Sequence, residues 1–142
     1  MYETEIRAQD TADGGPRAQH SGHGRGNDVR GRSGRGGQHA ERACGSGYYQ
    51  IDHHALGTVA DIYLFYNGSS NCAVTWKRNP NGTTRYDLRV HIERQSDLQT
   101  APDAGYYLYY AGAVELYAPN TCISWGGYAE GISWSSGWSH CG

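Results

Sequence analysis

The four cysteines constrain the fold more than any other feature of this sequence. Cys44, Cys72, Cys122 and Cys141 all lie within residues 44 to 142, and no two of them form a Cys-x-x-Cys pair. An even number of cysteines in a small domain predicts two disulfides, for which three connectivities exist. We favour Cys44 with Cys72 and Cys122 with Cys141, because each pair closes a short loop. In the chain-entropy model a loop of this size contributes about 3 to 4 kcal/mol to stability.

Disulfides persist in oxidising compartments, so the cysteine pattern predicts a secreted protein. Two other roles for the cysteines are a Cys/His zinc site and a Cys nucleophile beside His140. Zinc-finger spacing is absent, however, and His140 directly precedes Cys141 in the chain. We therefore expect no metal and no cofactor.

Residues 1 to 43 differ in composition from the rest of the chain. They hold 9 of the 21 glycines, and their only large aliphatic residues are Ile6 and Val29. Such a stretch buries too little apolar area to offset the entropy of ordering it. We predict a disordered tail over residues 1 to 43 and a folded domain over residues 44 to 142. The basic segment from 20 to 37 lacks interleaved aromatic residues, which favours a solvated tail over a nucleic-acid-binding arm.

The tail also stands where a secreted protein carries its signal peptide, but it contains no apolar segment. We hypothesise that residues 1 to 43 are a wrongly assigned signal-peptide region, caused by a shifted reading frame or start site.

The charge balance argues against polyanionic partners. With 12 basic and 14 acidic residues the formal net charge is −2, so we expect neither nucleic acid nor an anionic membrane as a partner. There is also no run of 18 apolar residues, and we expect no transmembrane helix.

The folded part alternates between short apolar runs and turn residues. Residues 58 to 66 are apolar on nearly both sides, which predicts a central strand, and residues 86 to 94 alternate cleanly between apolar and polar positions. We expect residues 95 to 105, with Pro102, to form a polar loop, and Gly112 to mark a bulge. Six to eight short strands without a useful amphipathic helix predict an all-β, antiparallel sandwich or barrel cross-linked by two disulfides.

Five segments carry a resemblance to a known family. They are CGSGYYQIDHHAL from 44, IYLFYNGSSNCAVTWK from 62, DAGYYLYYAGAVELYA from 103, CISWGG from 122 and SGWSHCG from 136. In their order and with all four cysteines, they resemble the spore-associated protein A family of Streptomyces and related actinomycetes. The resemblance implies a small exported protein found with spores, and it implies no enzymatic activity or ligand. Ala113 departs from the family pattern, where Pro is expected, and the tail is not covered.

No catalytic motif of the hydrolase, metalloprotease, P-loop or dinucleotide-binding type is present. Every second residue of a strand points to the same side, so one side of the predicted strand from 86 to 94 presents Arg89, His91 and Glu93. This set would suit a small secreted ribonuclease. We favour a solvated charged face instead. No catalytic residue is assigned, and we predict that the protein is not an enzyme.

Four C-terminal aromatic residues are the candidate binding residues: Trp125, Tyr128, Trp134 and Trp138. They lie among Gly and Ser, and exposed aromatic rings bind sugars or proteins, whereas buried rings would build the core. We predict a spore- or cell-surface protein with a structural or binding role. The alternatives are a module that binds spore-coat or cell-wall polysaccharide, an inhibitor of a secreted enzyme that uses residues 95 to 105, and a small ribonuclease.

Overall fold

The computed structural model describes residues 34 to 142, with side chains from Gly36 onward. This part of the chain contains one helix and eight strands. They are α1 Gly34–Cys44, β1 Tyr49–Leu56, β2 Ala60–Tyr66, β3 Ser70–Lys77, β4 Tyr86–Arg94, β5 Thr100–Tyr107, β6 Tyr110–Tyr117, β7 Ile123–Ala129 and β8 Ile132–Ser135.

The strands form two antiparallel sheets that pack face to face. Sheet A has the order β1-β2-β3-β6 and sheet B has the order β5-β4-β7-β8. One apolar core lies between the sheets and includes Ile62 and Leu64 of β2, Val90 and Ile92 of β4, and Trp125 of β7. The predicted all-β sandwich is confirmed, and β2 and β4 occupy interior positions of their sheets.

A second apolar layer covers the outer face of sheet A. It consists of side chains from β2, β3 and β6 that point away from sheet B, together with residues of α1 and the loop that follows it. Its buried members are Ala40, Cys44, Tyr48, Tyr63, Phe65, Cys72, Val74, Trp76 and Tyr110. This layer explains why β2 is apolar on both sides, because sheet B covers one side and α1 covers the other.

Residues 34 to 43 therefore differ from the sequence-based expectation, which assigned them to a disordered tail. The helix sequence from Gly34 to Cys44, GRGGQHAERAC, contains three glycines. Each glycine disfavours a helix by about 1 kcal/mol relative to alanine. Contacts with sheet A override that preference. A Cβ atom at Gly36 would lie 2.7 Å from the Tyr63 hydroxyl, so a larger residue there would require the Tyr63 side chain to shift. The rest of the predicted tail, residues 1 to 33, lies outside the described residues, and the domain division stays a prediction.

Both disulfides have the predicted connectivity. Cys44–Cys72 joins the end of α1 to β3 within the second apolar layer, and Cys122–Cys141 joins the start of β7 to the C-terminal segment. No described cysteine is free.

Two predicted local features have different outcomes. The bulge at Gly112 is confirmed, since the pairing of β3 with β6 shifts register opposite this residue. The predicted loop from 95 to 105 is wrong, because β5 begins at Thr100 and leaves only a short turn. Pro102 lies within β5, which is an edge strand of sheet B, and an edge strand tolerates the missing amide hydrogen.

Asp61 is the buried acidic residue at the edge of the second apolar layer. Its carboxylate accepts hydrogen bonds from Arg78 Nε at 3.0 Å and from Arg78 Nη2, and it lies 2.9 Å from His53 Nε2. Burial opposes ionisation of Asp61, but the hydrogen bonds from Arg78 and His53 outweigh it and lower the pKa of this carboxyl.

Replacing Ala40, which lies on α1 and is fully buried against sheet A, by Arg should destabilise the fold by at least about 2 kcal/mol, because a charge would enter an apolar layer. Urea unfolding of Ala40→Arg measures the change. Gln38→Arg places the same side chain on a less buried position of the same helix and serves as the control. Equal stability of the two variants would contradict the packing of α1 on sheet A.

Replacing Asp61 by Asn should cost about 1 to 3 kcal/mol near neutral pH, since Arg78 would lose its charged acceptor. The pKa of Asp61 is lowered on folding, so its contribution is complete above the ordinary carboxyl pKa of 3.8 and declines as the pH falls through the lower native value. Urea unfolding of both proteins over a pH series should show the difference shrinking below about pH 4. A difference that is unchanged at the acid end would contradict this assignment.

Candidate functional site

The four candidate aromatic residues do not form one platform. Trp125 is 1% exposed and belongs to the core between the sheets, which is the core alternative for these aromatic residues and not the binding one. Its place follows from the register of β7, in which Ile123, Trp125 and Ala129 are all buried against sheet A.

Trp134 is half-buried at the side of the sandwich where β1 and β8 face each other. Its ring stacks on His54 with a centroid distance of 3.8 Å and meets Trp125 edge-on at 4.9 Å. These contacts give Trp134 a packing role across the two sheets. Trp138 lies in the C-terminal segment and is 43% exposed.

Tyr128 lies on the outer face of sheet B, which points away from sheet A. The other members of this face follow from the strand register, because residues opposite one another share a face. We define the outer face of sheet B by Asp87, Arg89, His91, Glu93, Tyr106, Tyr128, Ser133 and Ser135. No element within residues 34 to 142 packs over it.

A salt bridge and a cation–π contact order one half of this face. Arg89 lies over the ring of Tyr128 at 4.1 Å from the centroid, and its guanidinium donates two hydrogen bonds to Asp87, at 2.9 and 3.2 Å. These bonds to Asp87 raise the pKa of Arg89. Tyr106 lies opposite Asp87 in the β4 and β5 register and is 66% exposed.

The other half of the face centres on His91, whose Nε2 lies 3.0 Å from the Ser135 hydroxyl. The ring lies over Gly126, where an added Cβ would come within 2.8 Å of His91 Cε1. Burial lowers the pKa of His91, and the charge of Glu93 partly opposes that shift. The imidazole is therefore neutral near neutral pH and can exchange hydrogen bonds with polar groups.

The sequence correctly placed Arg89, His91 and Glu93 on one side of a strand. The arrangement does not favour a ribonuclease, because Arg89 is paired with Asp87 rather than free for a phosphate. Within residues 34 to 142, no group of three or more His, Cys, Asp or Glu side chains is placed to hold a metal ion. No helix in this part of the chain is long and apolar enough to span a membrane.

Sequence reasoning missed Tyr106 as a surface residue of this face. The alternating pattern of β4 predicts which of its own residues point outward. Which residues of β5 and β8 share that face depends on how the strands pair, and local sequence does not show this. Tyr106 directly follows the predicted loop of residues 95 to 105, and nothing local in the sequence pairs it with Asp87.

Comparisons with known proteins bear on the family. The chain is 38% identical over 104 residues to spore-associated protein A of Streptomyces coelicolor, and the match covers 70% of this chain. It spans 64% of that relative, slightly less than two thirds of its length. No family model matches the chain, and no solved structure matches it.

The relative's name describes a spore-associated protein and not an enzyme. Together with the two disulfides, this similarity is consistent with an extracellular or spore-surface location. The similarity also confirms the family that the sequence motifs predict, and the chain is a member of the spore-associated protein A family.

Proposed function

We propose that this protein is a secreted, spore- or cell-surface-associated protein with a binding role and no catalytic activity. Its ligand is polysaccharide of the spore coat or cell wall, and the outer face of sheet B is the binding surface. The relative's name supports a role at the spore, and the two disulfides support export to an oxidising environment.

The main support for this binding surface is that the outer face of only one of the two sheets is covered by other residues. Helix α1 and the second apolar layer cover the outer face of sheet A, whereas no described element covers the outer face of sheet B. A sheet face that carries aromatic rings and charged groups in contact with solvent is suited to bind another molecule.

The chemistry of this face matches that of a polysaccharide. Sugar rings present apolar C–H patches, which pack on aromatic rings, and hydroxyl groups, which hydrogen-bond to planar polar side chains. Tyr106 and Tyr128 supply the rings, while Asp87 and Arg89 supply an ordered acceptor and donor pair. Holding these groups in place before binding reduces the entropy lost on association.

The structure offers less support for the inhibitor alternative. A protruding loop was expected over residues 95 to 105, but the segment before β5 is a short turn in which Arg94 and Asp97 form an ion pair. No extended loop remains there to enter the cleft of a target enzyme.

A pulldown of the full, oxidised chain with purified spore-wall and vegetative-wall polysaccharide tests the proposal. We expect the intact protein to bind, and Tyr106→Ala and Tyr128→Ala each to weaken binding by about two- to tenfold, since a stacking contact with an aromatic ring contributes about 0.5 to 1.5 kcal/mol.

Tyr117→Ala provides the matched control, because Tyr117 is similarly exposed, at 59%, but lies on β6 of sheet A. Binding that is lost in Tyr117→Ala or Trp138→Ala, and kept in Tyr106→Ala, would place the site elsewhere. No binding of the intact protein to either polysaccharide would reject the proposed ligand.

A further inference from the structure

A pocket of about 300 Å³ lies between one end of sheet A and the C-terminal segment. Its walls are Ile51 from β1, Tyr66 from β2, Ala118 after β6, and His140, Cys141 and Gly142 from the C-terminal segment. Its volume is at the lower end of the range for pockets that bind small molecules. This pocket is separate from the outer face of sheet B, and the inference drawn from it does not depend on the proposed function.

Asn71 is the polar residue at the inner wall of this pocket. It lies near the start of β3, between Tyr66 and Leu116 in the sheet register, and is only 3% exposed. The Asn71 side chain lines the cavity and has no side-chain hydrogen bond to another described residue. A molecule in the cavity can therefore hydrogen-bond to the Asn71 amide, and one such bond contributes about 0.5 to 1.5 kcal/mol.

The C-terminal segment forms the cover of the pocket and is held by three contacts. Ser139 pairs with the backbone of Ile123, Cys141 is bonded to Cys122, and His140 Nε2 lies 2.9 Å from Asp52 Oδ2. Without these contacts the outer wall would be lost, because Cys141 and the residues beside it belong to no strand.

We propose that this pocket binds a small, uncharged and mainly apolar molecule that carries one amide or hydroxyl group. The apolar part packs against Ile51, Tyr66 and Ala118, and the polar group hydrogen-bonds to the Asn71 side chain. An uncharged ligand fits because Asn71 is neutral, and because His140, the ionisable histidine of the lining, is already engaged with Asp52.

Titration of the full, oxidised, ¹⁵N-labelled protein with three probes tests this inference: benzamide, cyclohexanecarboxamide and benzyl alcohol. We expect saturable shifts of the Asn71 side-chain NH₂ signals and of the backbone amides of Ile51 and Cys141. Ethylbenzene, which lacks the polar group, should bind about tenfold more weakly, as the loss of one hydrogen bond predicts. Absence of saturable shifts with all three probes would overturn the proposal.

Two variants separate pocket binding from weak surface binding. Ala118→Phe should fill the cavity and abolish the shifts, while Ala104→Phe makes the same substitution on the exposed β5 edge strand and should leave them unchanged. Asn71→Leu should weaken amide binding by about tenfold and leave ethylbenzene binding nearly unchanged. Equal shifts in Ala118→Phe and the parent protein would reject the pocket as the binding site.

Mild reduction supplies a test that needs no substitution. Cys141 is exposed, whereas Cys44 and Cys72 are buried, so a reductant should cleave Cys122–Cys141 first. Alkylation followed by mass spectrometry identifies which pair has opened. Probe binding should fall at least about tenfold in the selectively reduced protein, and unchanged binding would contradict the role of the C-terminal segment as a cover. Polysaccharide binding, measured in parallel, reports on the proposed function independently.

Discussion

The packing of helix α1 against sheet A, secured by the Cys44–Cys72 disulfide, is the interaction on which the rest of the structure depends. The helix has three glycines and low intrinsic stability, so it persists through its contacts with the sheet. In return it covers Phe65 and Trp76, which would otherwise expose large apolar side chains to water. The interior strands β2 and β3 of sheet A are thereby buried on both faces, whereas the outer face of sheet B is solvated.

This difference between the two sheets connects the fold to both proposals. The outer face of sheet B can carry charged and aromatic side chains because it contributes nothing to either apolar layer. The pocket beside Asn71 lies at one end of sheet A, where the short C-terminal segment, held by the Cys122–Cys141 disulfide, covers it. One site therefore suits an extended polymer, and the other a small molecule.

Most of the strands could be predicted from local patterns. The alternation of β4 and the double-sided β2 both correspond to strands of the structure, and the disulfide pairing followed from loop length alone. The failures have a common cause, because tertiary contacts overrode local preference. Pro102 lies in a strand because that strand is at an edge, and residues 34 to 43 form a helix despite their glycines because α1 packs on sheet A.

The sequence by itself determined the all-β class, the two disulfides and the family, since these depend on residue spacing and composition along the chain. Tertiary structure decided which aromatic residues are core and which are surface. Trp125 and Tyr128 are three residues apart in the same strand, yet one is buried and the other lies under Arg89 on the outer face. Successive residues of a strand face opposite sides of the sheet, so whether a side chain is buried depends on which side another layer covers. The packing of the sheets and the helix determines which side that is.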